Sequence, residues 1–102
     1  MSVFMVFWQD EVTDREGLNG YQAKAGPTLA PFRPTPRVVT EDVQNVEGDW
    51  NPGRMVILEF ESKEDALGWY NSEGYSQVKQ LRLNATKGGG GVMVDTFKMP
   101  GQ

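Results

Sequence analysis

Apolar residues run without a break from Val3 to Trp8. At a period of two, Val3, Met5 and Phe7 face one way and Phe4, Val6 and Trp8 the other, and both sets are apolar. A short β-branched and aromatic run of this kind predicts a strand buried on both faces. Arg54 to Phe60 follows the same rule: Val56, Leu58 and Phe60 share one face, Met55, Ile57 and Glu59 the other. Between these runs the period lengthens. Thr13-Asp14-Arg15-Glu16 makes a capping box, and Leu18, Tyr21, Ala25, Leu29 and Phe32 recur behind it at helical spacing. Pro27 is expected to kink or end this helix, and Pro31, Pro34 and Pro36 mark the loop beyond it. Residues from about 37 to 47 carry Val38, Val39, Val43 and Val46 among charges, the pattern of an edge strand.

A turn signal, Gly48-Asp49-Trp50-Asn51-Pro52-Gly53, precedes the strand from Arg54. Ser62-Lys63-Glu64-Asp65 then opens a second helix with Ala66, Leu67, Trp69 and Tyr70. Gly74 is expected to interrupt it, and its continuation places Tyr75, Val78, Leu81, Arg82 and Ala85 on one side. Gly88 to Gly91 stops the helix, and Val92 to Phe97 forms the last strand. The order β-α-β-β-α-β predicts an α+β, ferredoxin-like fold: one domain over residues 1–102, a four-stranded antiparallel sheet and two helices on one face.

Two helices cover only one side of such a sheet. Its central strands are apolar on both sides, so the second side would expose a larger apolar patch than monomers usually carry. The expectation is a homodimer packed through that open face, since two-fold pairs are the commonest assemblies.

Composition then narrows the chemistry. The 102 residues include no cysteine and no histidine, which removes thiolate and imidazole catalysis and the usual zinc ligands. Ten basic against fourteen acidic residues give a net charge of −4, which argues against a nucleic-acid partner. No run approaches the length of a membrane span, and Met1 to Trp8 lacks the features of a signal peptide. The expectation is a cytoplasmic protein with no membrane partner, no metal and no cofactor.

Chemistry is left to carboxylates, guanidinium groups and tyrosines. Glu59 lies between apolar neighbours, where burial would raise its pKa, and Arg82 lies on the apolar side of the second helix. They read either as a buried ion pair or as a base and an anion clamp facing a pocket. Trp69, Tyr70 and Tyr75 form an aromatic cluster that serves a core or a ligand wall. Trp50 sits in a turn, where it caps an interface or a pocket mouth. Lys87 and the four glycines after it follow a helix and precede a strand, the reverse of a phosphate loop.

Glu47-Gly48-Asp49-Trp50-Asn51-Pro52, Val56-Ile57-Leu58-Glu59-Phe60-Glu61-Ser62, Ala66, Trp69-Tyr70-Asn71-Ser72, Tyr75 and Arg82 together resemble the domain-of-unknown-function 1330 family. That resemblance implies the dimeric α/β barrel superfamily. Its members include cofactor-free monooxygenases and isomerases that bind small aromatic or lactone compounds between sheet and helices. Glu47, Trp50, Glu59, Trp69, Tyr70, Ser72, Tyr75 and Arg82 occupy the family's recurrent positions. Strand two departs from the pattern: Pro34-Thr35 and Thr40-Glu41-Asp42 stand where the family carries paired glycines and Arg-Gly-Gly. A ligand-facing arginine is then absent unless Arg33 or Arg37 replaces it.

Two functional expectations follow. The first is a homodimer binding a small, partly apolar or anionic molecule between sheet and helices, with oxygenase- or isomerase-like chemistry free of cofactors. Glu59, Arg82 and Tyr75 would be its catalytic residues, and Trp50, Trp69, Tyr70 and Ser72 would contact the ligand. The second is a non-catalytic interaction or sensor module in which Glu59 and Arg82 form a structural ion pair.

Overall fold

The computed structural model describes residues 2–101. Its elements are β1 (Val3–Gln9), β2 (Glu11–Val12), α1 (Arg15–Leu29), β3 (Thr35–Thr40), β4 (Arg54–Phe60), α2 (Lys63–Tyr70), α3 (Glu73–Ala85), β5 (Thr86–Lys87) and β6 (Gly90–Asp95). The main sheet has the order β3-β4-β1-β6, and every neighbouring pair is antiparallel. This is the ferredoxin-like arrangement, with the two strands that are apolar on both faces at the centre. β2 and β5 pair in a separate two-stranded ribbon that the apolar pattern does not show.

Register sorts the side chains. Val3, Met5, Phe7 and Gln9 of β1 are buried beneath the helices, whereas Phe4, Val6 and Trp8 are only half-buried on the other face. The pairing Phe7↔Val56, Met5↔Leu58 and Val3↔Phe60 continues the covered face across β4. Trp69, Tyr75, Phe60, Leu18 and Val3 are the largest fully buried side chains. The Trp69 ring stacks on Phe60 at 5.8 Å and meets Tyr75 at 4.2 Å between centroids. Burial of each such side chain contributes about 1.5–3 kcal/mol.

Several local details differ from the sequence expectation. The α1 N-cap is Asp14, whose carboxylate accepts from the Gly17 N–H at 3.0 Å. The helix runs through Pro27 to Leu29 and tightens into a 3-10 turn, Ala30–Phe32. Pro27 stands near the C-terminal end, where its missing donor costs little further helix. β3 ends at Thr40, where the hydroxyl accepts from the Asp42 N–H at 2.9 Å and turns the chain, so Val43 and Val46 lie outside any strand. The second helix breaks at Asn71-Ser72, and Gly74 falls within the first turn of α3. Ser72 causes the break: its hydroxyl donates to the Trp69 carbonyl at 2.7 Å and accepts from the Tyr75 N–H at 3.2 Å. The glycine run divides: Gly88 and Gly89 turn the chain, and Gly90 and Gly91 open β6, which starts two residues before the expected Val92. Gly88 and Gly89 adopt φ of +68° and +105°, and a Cβ on Gly91 would stand 2.8 Å from the Phe7 ring.

No helix among the described residues is long and apolar enough to cross a membrane.

Candidate functional site

A cavity of about 200 Å³ lies between the sheet and the helices. Phe7, Val56 and Leu58 form its sheet side, while Tyr21, Ala25 and Leu29 of α1 and Trp69 of α2 form its helical side. It opens between exposed residues of α1 and the β3 edge, where Val39 is 56% exposed although it stands on the helix-covered face. Small-molecule sites in proteins are commonly apolar concave clefts of this kind.

Three polar residues reach the cavity from buried positions. Gln9 and Arg54 end the inward-facing rows of β1 and β4 and face each other across the pair. The Arg54 Nη1 donates to Gln9 Oε1 at 2.9 Å. Arg82 comes from α3 and lies over the Phe7 ring, 5.2 Å from its centroid. Burial lowers the Arg54 pKa below the ordinary arginine value, and the neighbouring Arg82 charge acts in the same direction.

The Tyr21 and Tyr75 hydroxyls hydrogen-bond to each other at 2.8 Å. Tyr75 is fully buried behind Tyr21, and burial followed by Tyr21 pushes its pKa well above the ordinary phenol value. Each hydroxyl is both a donor and an acceptor, and their mutual bond uses one of the two donors. Trp69 is fixed by its Nε1–H, which donates to Thr28 Oγ1 at 2.9 Å, while that hydroxyl donates to the Ala25 carbonyl at 2.6 Å. One threonine thus ties α2 to the last turns of α1.

The residues singled out in the sequence divide by location. Arg82 and Trp69 line the cavity, and Tyr75 stands one hydroxyl behind it. Tyr70 stacks on the Phe7 ring, with centroids 6.0 Å apart, and lines a neighbouring groove instead. Ser72 is occupied as the α3 cap. Trp50 packs edge-on against Trp8 at 5.4 Å on the open face.

Glu59 and Arg82 do not form an ion pair. β4 alternation puts Glu59 on the open face, opposite Phe4 and Thr35, and its carboxylate bonds Arg37 at 2.8 Å. The Ser2 hydroxyl and the Arg37 guanidinium hold the Glu59 carboxyl below its ordinary pKa, the reverse of the rise expected from burial. Arg37 sits at a bulge between Pro36 and Val38, which re-aims it toward Glu59 and away from the cavity. Neither Arg33 nor Arg37 is among the residues that line the cavity, so neither stands in there for the arginine missing from strand two. Arg54, Gln9 and Tyr21 were not singled out in the sequence. The available signal was a polar residue in the inward phase: Arg54 shares phase with Val56 and Leu58, and Gln9 with Met5 and Phe7.

The topology makes the protein a ferredoxin-like α+β domain, with a cavity between sheet and helices. The chain belongs to the family described as Domain of unknown function (DUF1330), whose profile matches residues 2–96. None of the curated proteins matches the sequence. Solved structures do resemble the fold. A protein of unknown function from Rhodopseudomonas palustris superposes with a TM-score of 0.78 at 12% identity, covering 96% of this chain and 84% of the other. SnoaB, a cofactor-independent oxygenase from Streptomyces nogalater, gives 0.66 at 11% identity, with coverage of 99% and 98%. A dimeric protein of unknown function and ferredoxin-like fold from Bacteroides fragilis gives 0.56 at 10% identity, with coverage of 93% and 96%.

Proposed function

We propose that this protein is a homodimer that binds a small, largely apolar molecule in the cavity between the sheet and α1, and that its chemistry is oxygenation or isomerisation without a cofactor. The carrying observation is an apolar cavity walled by Trp69 and reached by the Arg82 guanidinium and a tyrosine hydroxyl pair. Arg82 orients a polar group, and Tyr21 relays a hydrogen bond from Tyr75. Glu59, bonded to Arg37 on the other face, has no role in this reading. Cofactor-free oxygenation needs a substrate whose own anion supplies electrons to dioxygen, in a site that keeps water off it. SnoaB, which shares the fold, is an oxygenase of the cofactor-independent kind.

The dimer is supported by the unpartnered face of the sheet. Val92 and Val94 are 47% and 45% exposed there, beside half-buried Phe4, Val6 and Ile57. The Cα framework is only 16 Å thick against 45 and 37 Å in its other dimensions, a slab with one side of its sheet open. The Bacteroides fragilis neighbour is described as dimeric.

The test is titration with 1-naphthol and indole, followed by tryptophan fluorescence. The expected result is saturable binding that Val39→Trp, at the exposed mouth, abolishes. Binding of neither compound, or binding indifferent to Val39→Trp, rejects the cavity as a ligand site. A non-catalytic sensor would use the same cavity, so dioxygen uptake with 1-naphthol separates an oxygenase from a sensor.

A further inference from the structure

We propose that Arg54 and Arg82 together form an anion seat in the cavity and that the ligand is a small aromatic carboxylate. The inference rests on reading the cavity as a ligand site and adds the charge and class of what enters it.

Both arginines are buried as residues, at 4% and 9% exposure, and both line the same cavity. No Asp or Glu among the described residues lines it. Among the described residues the ion pairs are Arg15–Glu41 and Arg37–Glu59, and neither includes Arg54 or Arg82. Buried arginines are ordinarily paired, because an uncompensated charge in a poorly hydrated site is strongly unfavourable. Here two cations share one small space. The Glu41 carboxylate acts on Arg54 at a distance and is bonded to Arg15. A folded chain that keeps two such groups together, with no carboxylate among the described residues bonded to either, is complementary to an anion that arrives with the ligand.

The partners of the two arginines orient them without neutralising them. Gln9 is 3% exposed and offers Arg54 one neutral acceptor, which leaves the rest of the guanidinium fork free. Phe7 takes the Arg82 charge against its ring, and in-plane N–H groups of a guanidinium remain available in such a contact. Planar forks match a carboxylate in two-point geometry. The tyrosine pair adds a neutral donor beside them.

Size and lining decide the remainder of the ligand. An apolar cavity of about 150 Å³ holds one benzene ring. The 200 Å³ here, walled by Phe7, Val56, Leu58 and Trp69, suits one ring with a short acidic substituent. A phosphate dianion carries a heavier hydration shell and would leave those walls unfilled, so the carboxylate is the better match.

Calorimetric titration of the full chain with benzoate, benzamide, indole and inorganic phosphate tests this. Benzoate is expected to bind about tenfold or more tightly than benzamide, its neutral counterpart in shape. Arg54→Met and Arg82→Met should each remove about tenfold of benzoate affinity and leave indole within about twofold. Gln9→Glu guards against misfolding variants, since it supplies the missing carboxylate internally. It should raise Tm and weaken benzoate by about tenfold or more, whereas a purely structural arrangement would gain stability without losing the ligand. Equal affinity for benzoate and benzamide, with intact indole binding, overturns the anion seat and leaves the cavity reading standing. Phosphate binding as tightly as benzoate overturns the aromatic carboxylate. Absence of binding by all four compounds overturns the seat and the cavity reading together.

Discussion

The two faces of the central sheet carry similar apolar residues and meet different fates. Phe7, Met5, Leu58 and Phe60 are at most 6% exposed because α1, α2 and α3 lie over them. Phe4, Val6 and Ile57, one position away in the same strands, remain half-buried. Alternation within a strand therefore assigns a residue to a face but does not say what covers that face. The covered face also contains the exceptions to apolarity, Gln9 and Arg54 at the strand ends and Arg82 above them. The open face places its polar residues on a rim, where Arg37 and Glu59 pair beside the edge strand. Polar groups left in a covered layer are costly unless they serve a partner, and those at a rim are readily solvated.

The largest effect expected on the covered side comes from Trp69→Ala, which removes the ring that touches Phe7, Phe60, Tyr70 and Tyr75. It should cost about 3–5 kcal/mol in denaturant unfolding. The corresponding break on the open side is Ile57→Lys. The affinity of the proposed homodimer should fall by about 100-fold or more in sedimentation velocity, with the far-ultraviolet circular dichroism unchanged. If Ile57→Lys leaves the sedimentation coefficient alone, the two faces differ for a reason other than a second copy.

Smaller changes sharpen the contrast. Ser72→Ala removes the α3 cap, which holds Tyr75 in register, and should lower stability by about 1 kcal/mol on thermal melting. Glu59→Gln on the rim should have the least effect. Because the folded pKa of Glu59 lies below its ordinary value, the carboxylate's contribution is complete above that ordinary value. It is lost as pH falls through the lowered one. Melting curves of the wild type and Glu59→Gln should therefore converge as the solution is acidified, and a constant difference would show that the Arg37 contact contributes nothing pH-dependent.

Much of the architecture was legible in local pattern. Two runs apolar at both phases identify the central strands, and Ser62-Lys63-Glu64-Asp65 places the start of α2, where Ser62 accepts from the Asp65 N–H at 3.1 Å. The site was less legible. Arg82 and Trp69 stand out because they break or crowd a helical face, and both line the cavity. Glu59 stands out equally within its strand and belongs to the opposite face, since one step along a strand reverses direction. Arg54 ends its strand beside a turn, and residues at such ends are usually solvated. Its burial depends on Gln9 from β1 and on the helical layer above it.

By itself the sequence determined what short-range periodicity encodes: the four strands of the main sheet, the helical segments between them, the Ser62 cap, and the absence of imidazole and thiol side chains. It also carried the demand for more cover than two helices provide, because that demand is a count of apolar positions. Only the tertiary structure decided which cations share a cavity and which carboxylate stays away from them. Those are relations between residues 28 and 45 positions apart, Arg54 with Arg82 and Gln9 with Arg54, set by packing and strand register. Local pattern carries no information about distances across a sheet, and the charge of the cavity is a property of those distances.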